Sequence, residues 1–245
     1  MKFDLKFLGI GSGFESALGN TSAFFTDSDN NLYLIDCGFD VFTKLKNFRL
    51  LEEFNNITVF LTHLHDDHVG SLGSLIFYCY FNLNKKITVR FPSSDLAMLL
   101  KVQGALRFVN FMITKHGTIE SGKKTILEYE FISTPHDPAI PCFGIKIKNT
   151  DIDTPQQIYY SGDTKVLFNG LTKFDDIYTM PFIEIFQDCS YEKTYEGAQH
   201  MSLDLLCRAI PPKHRNIVKC MHLVSCTPQQ ILDKGFRLPQ LYVFE

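Results

Sequence analysis

Residues 62–70 read Thr62-His63-Leu64-His65-Asp66-Asp67-His68-Val69-Gly70, directly after the apolar run Ile57-Thr58-Val59-Phe60-Leu61. A short apolar, β-branched run reads as a buried strand, so the polar cluster falls on the loop leaving that strand's C-terminal end. Three histidines and two aspartates within six positions have no packing rationale, because burying them without a compensating cation is costly. In extended chain His63 and His65 project to one face and come close enough to share one ion. Asp67 and His68 fall where the chain turns toward the helical pattern of residues 72–83, so they aim elsewhere and can serve a second. Imidazole and carboxylate suit zinc, iron or manganese. The segment is a metal-binding motif.

The rest of the composition sets the surroundings of that motif. A chain of 245 residues can form one large domain, and we expect a single domain over residues 1–245. A hydrophobic fraction of 45% with 23 Phe supplies ample core. The formal net charge of −3 gives no sign of a broadly basic nucleic-acid surface. The seven Cys form no Cys-x-x-Cys pair and mostly fall inside apolar runs, which reads as reduced cysteine. The N-terminal stretch carries charges within its apolar pattern and lacks a signal-peptide core. No apolar run reaches the roughly 18 residues a membrane span needs. A cytoplasmic protein with no membrane partner is expected.

Along the chain, residues 3–10 alternate as a first strand ending in Gly9-Ile10-Gly11-Ser12-Gly13, read here as a tight turn. Ser22–Thr26 and Leu32–Ile35 read as a hairpin, the second strand ending at Asp36-Cys37-Gly38. Asp36 is either a cap or a support for the metal loop. Helices are expected over residues 39–48 and 72–83, the latter more apolar than one buried face requires, which suggests a subunit interface and a homodimer. Ile87–Phe91 reads as a strand, Ser93 or Ser94 as the cap of a helix ending at Gly104. Strands over 124–132, 156–160, 183–186 and 217–221 run into His136, Asp163, Asp188 and His222 in turn, with a further strand over 142–148. Short helices follow His200 and Thr227-Pro228. In a layered α/β domain, strand C-terminal ends converge on one edge, so these acids and histidines can meet.

With those residues in place, the chain resembles the metallo-β-lactamase fold superfamily. Thr-His63-Leu-His65-Asp-Asp67-His68 matches its HxHxDH motif, while Ser-Thr-Pro-His136, Ser-Gly-Asp163-Thr and Met-His222-Leu match three later metal motifs in order. The resemblance implies an α/β fold, an αββα sandwich with a dinuclear metal site at one edge of the two sheets. It implies two Zn2+, with Mn2+ or Fe2+ as alternatives. His63, His65 and His136 would hold one, Asp67, His68 and His222 the other, and Asp163 would bridge them. Asp66 departs from the small residues common there and receives no role.

The segment Phe186-Gln-Asp188-Cys-Ser with Gln199-His200-Met-Ser resembles the RNase Z-like branch. This implies that Asp188 orients His200, which protonates the leaving oxygen of a phosphodiester; Asp67 is counted with the catalytic set as well as with the metals. His116 and His214 match nothing and read as surface residues. Only 26 residues separate His136 from Asp163, too few for the tRNA-gripping arm of the RNase Z enzymes, and the short basic runs do not favour a phosphate-backbone grip. An armless relative of this length looks like the anti-Pycsar cyclic-nucleotide phosphodiesterases of phages and bacteria. The resemblance implies a cyclic nucleoside monophosphate as substrate, no stable nucleic-acid complex, and action in the host cytoplasm for a phage-encoded protein. A tRNA 3′-end nuclease is the alternative, and a carbon-ester, thioester or lactam hydrolase a second. Tyr78, Tyr80, Phe111 and Tyr178 are the aromatic residues expected to stack on a base.

Overall fold

Each half of the chain builds one six-stranded sheet, in the orders β1-β2-β3-β4-β5-β6 and β12-β11-β10-β9-β8-β7. The computed structural model describes residues 4–121, 124–150, 156–167, 182–191 and 198–243; Tyr178 lies outside them. In the first sheet, β1 (Lys6–Gly9), β2 (Ser22–Thr26) and β3 (Leu32–Ile35) pair antiparallel. Then β4 (Ile57–Phe60), β5 (Thr88–Phe91) and β6 (Asn110–Ile113) continue it in parallel. The second sheet takes β7 (His116–Ser121), β8 (Lys124–Ser133), β9 (Phe143–Asn149) and β10 (Gln156–Tyr160) antiparallel. It ends with β11 (Phe182–Ser190) and β12 (Val218–Val224) in parallel.

The sheets face one another through aromatic side chains, with Phe60 of β4 edge-on to Tyr129 of β8 at 5.1 Å. Phe91 of β5 meets Phe143 of β9 at 5.7 Å, and Phe7 of β1 meets Phe186 of β11 at 5.1 Å. Central strands such as Leu32–Ile35 are buried on both sides, which is why they read as continuous apolar runs. Helices α1 (Val41–Asn47), α2 (Leu50–Glu53), α4 (Leu72–Leu83) and α5 (Asp95–Val102) accompany the first sheet in sequence, α6 (Leu203–Ala209) and α7 (Pro228–Asp233) the second. This is the expected αββα sandwich. Ser94 precedes α5 and Gly104 follows it at φ +73°. Thr227 closes a capping box with Gln230 on α7.

Three readings of the sequence are corrected here. Strands β6 and β7 were not foreseen; they are edge strands of their sheets, β6 being apolar in sequence yet largely exposed and β7 mostly polar, so neither shows the buried-strand pattern of its neighbours. Asp188 and His222 do not end their strands. β11 and β12 run on to Ser190 and Val224, and the register slips between Asp188–Met221 and Cys189–Leu223, leaving His222 as the extra residue at φ +50°. Such a bulge re-aims a side chain without ending the ladder.

The apolar excess of α4 goes largely into the core, where Leu72, Gly73, Leu75, Ile76 and Cys79 are buried. Its outer residues Phe77, Tyr80 and Phe81 pack their rings on Phe108. No helix among the described residues is long and apolar enough to cross a membrane.

Candidate metal centre

Strand β4 ends at Phe60, and the chain then delivers His63 and His65 before turning through the four-residue helix α3 (Asp66–Val69). His63 Nε2 and His65 Nδ1 stand 3.0 Å apart, and His136 Nε2, from the loop after β8, is 3.3 Å from the same His65 nitrogen. Ligands held tetrahedrally at about 2.0–2.1 Å from zinc stand roughly 3.3 Å from one another. A second group gathers around α3. His68 Nε2 lies 3.2 Å from Asp163 Oδ1, while His222 Nε2 lies 3.1 Å from Asp67 Oδ2 and 3.2 Å from Asp163 Oδ2. Asp163 also faces the first group, its Oδ2 being 3.6 Å from His136 Nε2 and 3.8 Å from His63 Nε2. The two triads expected from the sequence therefore form two donor groups with Asp163 between them.

The surroundings hold these donors in place. Asp36, at φ +62° after β3, accepts the Thr62 amide at 2.7 Å and its hydroxyl at 2.9 Å, and its Oδ2 lies 2.9 Å from His68 Nδ1. A carboxylate that fixes the ring of a metal-binding histidine is the usual support for such a site, and so Asp36 is a support rather than a cap. His65 Nε2 reaches Asp137 Oδ2 at 3.1 Å, a partner the sequence reading passed over although it follows His136 directly. Two glycines keep Asp67 in position. A Cβ on Gly38 would collide with the Asp67 carbonyl oxygen, and one on Gly13 would come within 3.1 Å of Asp67 Oδ2. The Gly9–Gly13 segment is thus more than a tight turn; it packs on the motif.

The electrostatics fit divalent cations. Burial, with the neighbouring His68, holds His63 well below the ordinary imidazole value. Burial acts the same way on His68, yet Asp163 and Asp36 carry it well above that value. His222 is raised to about 10, because Asp163 and the other nearby carboxylates outweigh burial. Burial would raise Asp67 and Asp163, but the imidazoles of His222 and His68 hold both low. Without a cation, protons on His68 and His222 balance the carboxylates, and a divalent ion takes over that role on binding. The buried His68 Nε2 and Asp163 Oδ1 face each other at 3.2 Å without hydrogen-bond geometry and have no other partner, as expected of atoms aimed at an ion.

Beside the second group, His200 Nδ1 lies 2.8 Å from Asp188 Oδ2. Asp188 is wholly buried, accepts the Thr164 amide at 2.8 Å, and its Oδ1 is 3.5 Å from His222 Nδ1. Burial lowers the His200 pKa, but Asp188 more than offsets it and the value is raised. His65, Asp67, His136, Asp163, His200 and His222 share a cavity of about 650 Å³ whose rim includes Ser12, Phe14, Phe39 and Val224. Asp66 lies on its wall. Tyr78, Tyr80 and Phe111 are not among its lining residues, nor are His116 and His214. Phe14 and Phe39 were missed, although each directly follows a glycine on a loop leaving a first-sheet strand.

The sequence profile of the anti-Pycsar protein Apyc1 matches residues 3–238. The chain belongs to the anti-Pycsar Apyc1 family. The Apyc1 of Bacillus phage BSP38 is 27% identical over 240 residues, covering 89% of this chain and 88% of that protein. A ribonuclease Z from an Exiguobacterium species is 40% identical over 154 residues, covering 58% of this chain and 48% of that enzyme. The metallo-β-lactamase fold protein YhfI of Bacillus subtilis superposes with a TM-score of 0.68 at 18% identity, covering 94% of this chain and 90% of that one; this likeness shows the fold. Apyc1 family membership, with the clustered donors, supports a metal-dependent hydrolase.

Proposed function

We propose that this Apyc1-family chain is a dinuclear metal phosphodiesterase that opens cyclic nucleoside monophosphates to linear nucleotides, and so counters cyclic-nucleotide antiphage signalling. The observation that carries the reading is the Asp188–His200 pair beside two donor groups that share Asp163, with His200, Asp163 and members of both groups opening on one cavity. His63, His65 and His136 would hold one cation and Asp67, His68 and His222 the other, with Asp163 between the two groups. Zinc suits the donors, and Mn2+ or Fe2+ are alternatives. A pair of divalent cations supplies an activated water at neutral pH and offsets charge developing on the phosphate. Asp188 fixes the His200 ring, and His200 gives its proton to the departing ribose oxygen as the P–O bond breaks. Asp67 belongs to the catalytic set through its place beside His222.

The protein acts on a small molecule in the cytoplasm, that of the host for a phage-encoded protein, and forms no stable nucleic-acid complex. We place a homodimer contact on the α4 aromatic cluster of Tyr80, Phe81 and Phe108. Similarity to ribonuclease Z over 154 residues favours tRNA 3′-end processing as the second reading. The test is turnover of cyclic AMP, GMP, CMP and UMP, a precursor tRNA and bis(p-nitrophenyl) phosphate, with His68→Ala as the metal-site control. Opening of the cyclic nucleotides with the tRNA left intact supports the reading. Cleaved tRNA with untouched cyclic nucleotides replaces it with the nuclease, and survival of every phosphodiester points to a carbon-ester, thioester or lactam substrate.

A further inference from the structure

Most of the 23 Phe in this chain serve the core, but Phe14 is fully exposed at 101% and Phe39 is 46% exposed. A ring left in water contributes nothing to folding through burial, so two such rings on one cavity rim call for an occupant. Their backbones are not free to wander. Gly13 and Gly38, the residues before them, both pack against Asp67, whose Oδ2 is 3.1 Å from His222 Nε2. Both rings therefore project from points tied to the same acidic donor. The cavity pairs a floor of His and Asp with a rim carrying Phe14, Phe39 and Val224. An anionic head on the floor would leave a flat apolar group at the rim, and the volume of about 650 Å³ lies within the usual range for small-molecule sites.

We propose that Phe14 and Phe39 are the nucleobase-binding residues of this site, their rings stacking on the base of a cyclic mononucleotide whose phosphate would face the cations that Asp67, Asp163 and the histidines would hold. The inference rests on the cyclic-nucleotide reading and adds to it where the base is held. Stacking is tolerant of base identity because every base has a π-face. The larger purine covers more ring and depends more on the pair.

The test is steady-state kinetics on cyclic AMP and cyclic UMP for the metal-loaded wild type, Phe14→Ala, Phe39→Ala, Phe39→Leu and Phe39→Tyr. Each alanine variant is expected to raise KM for cyclic AMP about tenfold, the loss of one base–aromatic stack, with a smaller rise for cyclic UMP and a much smaller change in kcat. Phe39→Tyr, which keeps the ring face, should hold KM near wild type where Phe39→Leu does not. Because both rings are at the surface, the variants should retain the wild-type melting temperature. Cyclic-nucleotide turnover with unchanged KM in the alanine variants overturns the inference and leaves the reading standing. An altered sedimentation coefficient with unchanged KM overturns it too, assigning the rings to a contact between copies. Failure of the wild type to open any cyclic nucleotide removes the reading and this inference with it.

Discussion

The buried Asp188 carboxylate bridges two histidines of different function, holding His200 Nδ1 at 2.8 Å through Oδ2 and facing His222 Nδ1 at 3.5 Å through Oδ1. One acid thus orients the proposed proton donor through Oδ2, while its Oδ1, without a hydrogen-bond partner, faces a proposed metal ligand.

That position between the two rings predicts an asymmetry between the partners. His200→Ala should lower kcat by about 10²–10⁴, the usual contribution of a positioned acid, and still bind two metal ions per chain. Asp188→Ala should lower both kcat and metal content, since His222 loses its support. Metal analysis beside kinetics decides it; loss of metal from His200→Ala would show that the ring holds an ion rather than a proton.

Asp36 offers a second check. It accepts the Thr62 amide and hydroxyl and pairs with His68 Nδ1. Asp36→Ala should weaken metal affinity by about 10–100-fold, as expected for a partner that orients a ligand. It should also cost about 1–3 kcal/mol of stability by leaving the buried Thr62 amide unpaired. Competition with a chelator measures the first effect and denaturant unfolding the second. Wild-type affinity in the variant would reduce Asp36 to a structural acceptor.

Gly38→Ala tests the packing under Asp67. The added methyl would meet the Asp67 carbonyl oxygen, and the shift needed to relieve it should cost about 1–3 kcal/mol. A lowered melting temperature together with reduced metal content is expected. Were stability to fall with metal affinity intact, the glycine would matter only for the loop.

Metal uptake should depend on pH in a definite direction. In the cation-free site His68 and His222 hold protons, with His222 raised to about 10, and a metal ion must displace them. Affinity should therefore rise as pH goes from about 6 to 8, and binding should release protons into the buffer. Calorimetry in buffers of different ionisation enthalpy reads that release, and a buffer-independent heat would refute it.

Much of this site was legible from sequence because its residues come in local patterns. His63, His65, Asp67 and His68 crowd into one loop, and His136 and Asp163 each follow an apolar strand run. Strand and helix periods are local properties of the chain, so β2, β3, β4, α4 and β10 fell where the pattern put them. Strands β6 and β7 did not, because β7 is mostly polar and β6, though apolar, is largely exposed and is ordered by pairing with β5 rather than by burial of one face.

The sequence by itself determined which side chains are available as metal donors and on which kinds of segment they lie, since donor type and spacing are written along the chain. Only the tertiary structure decided which of them meet. The bulge that re-aims His222, the Asp137 and Asp36 contacts on His65 and His68, and the two glycines closing on Asp67 depend on atoms far apart in sequence and adjacent in space. So do the exposed rings of Phe14 and Phe39. A phenylalanine reads as core in one dimension, and only the packed fold leaves these two at the mouth of the cavity.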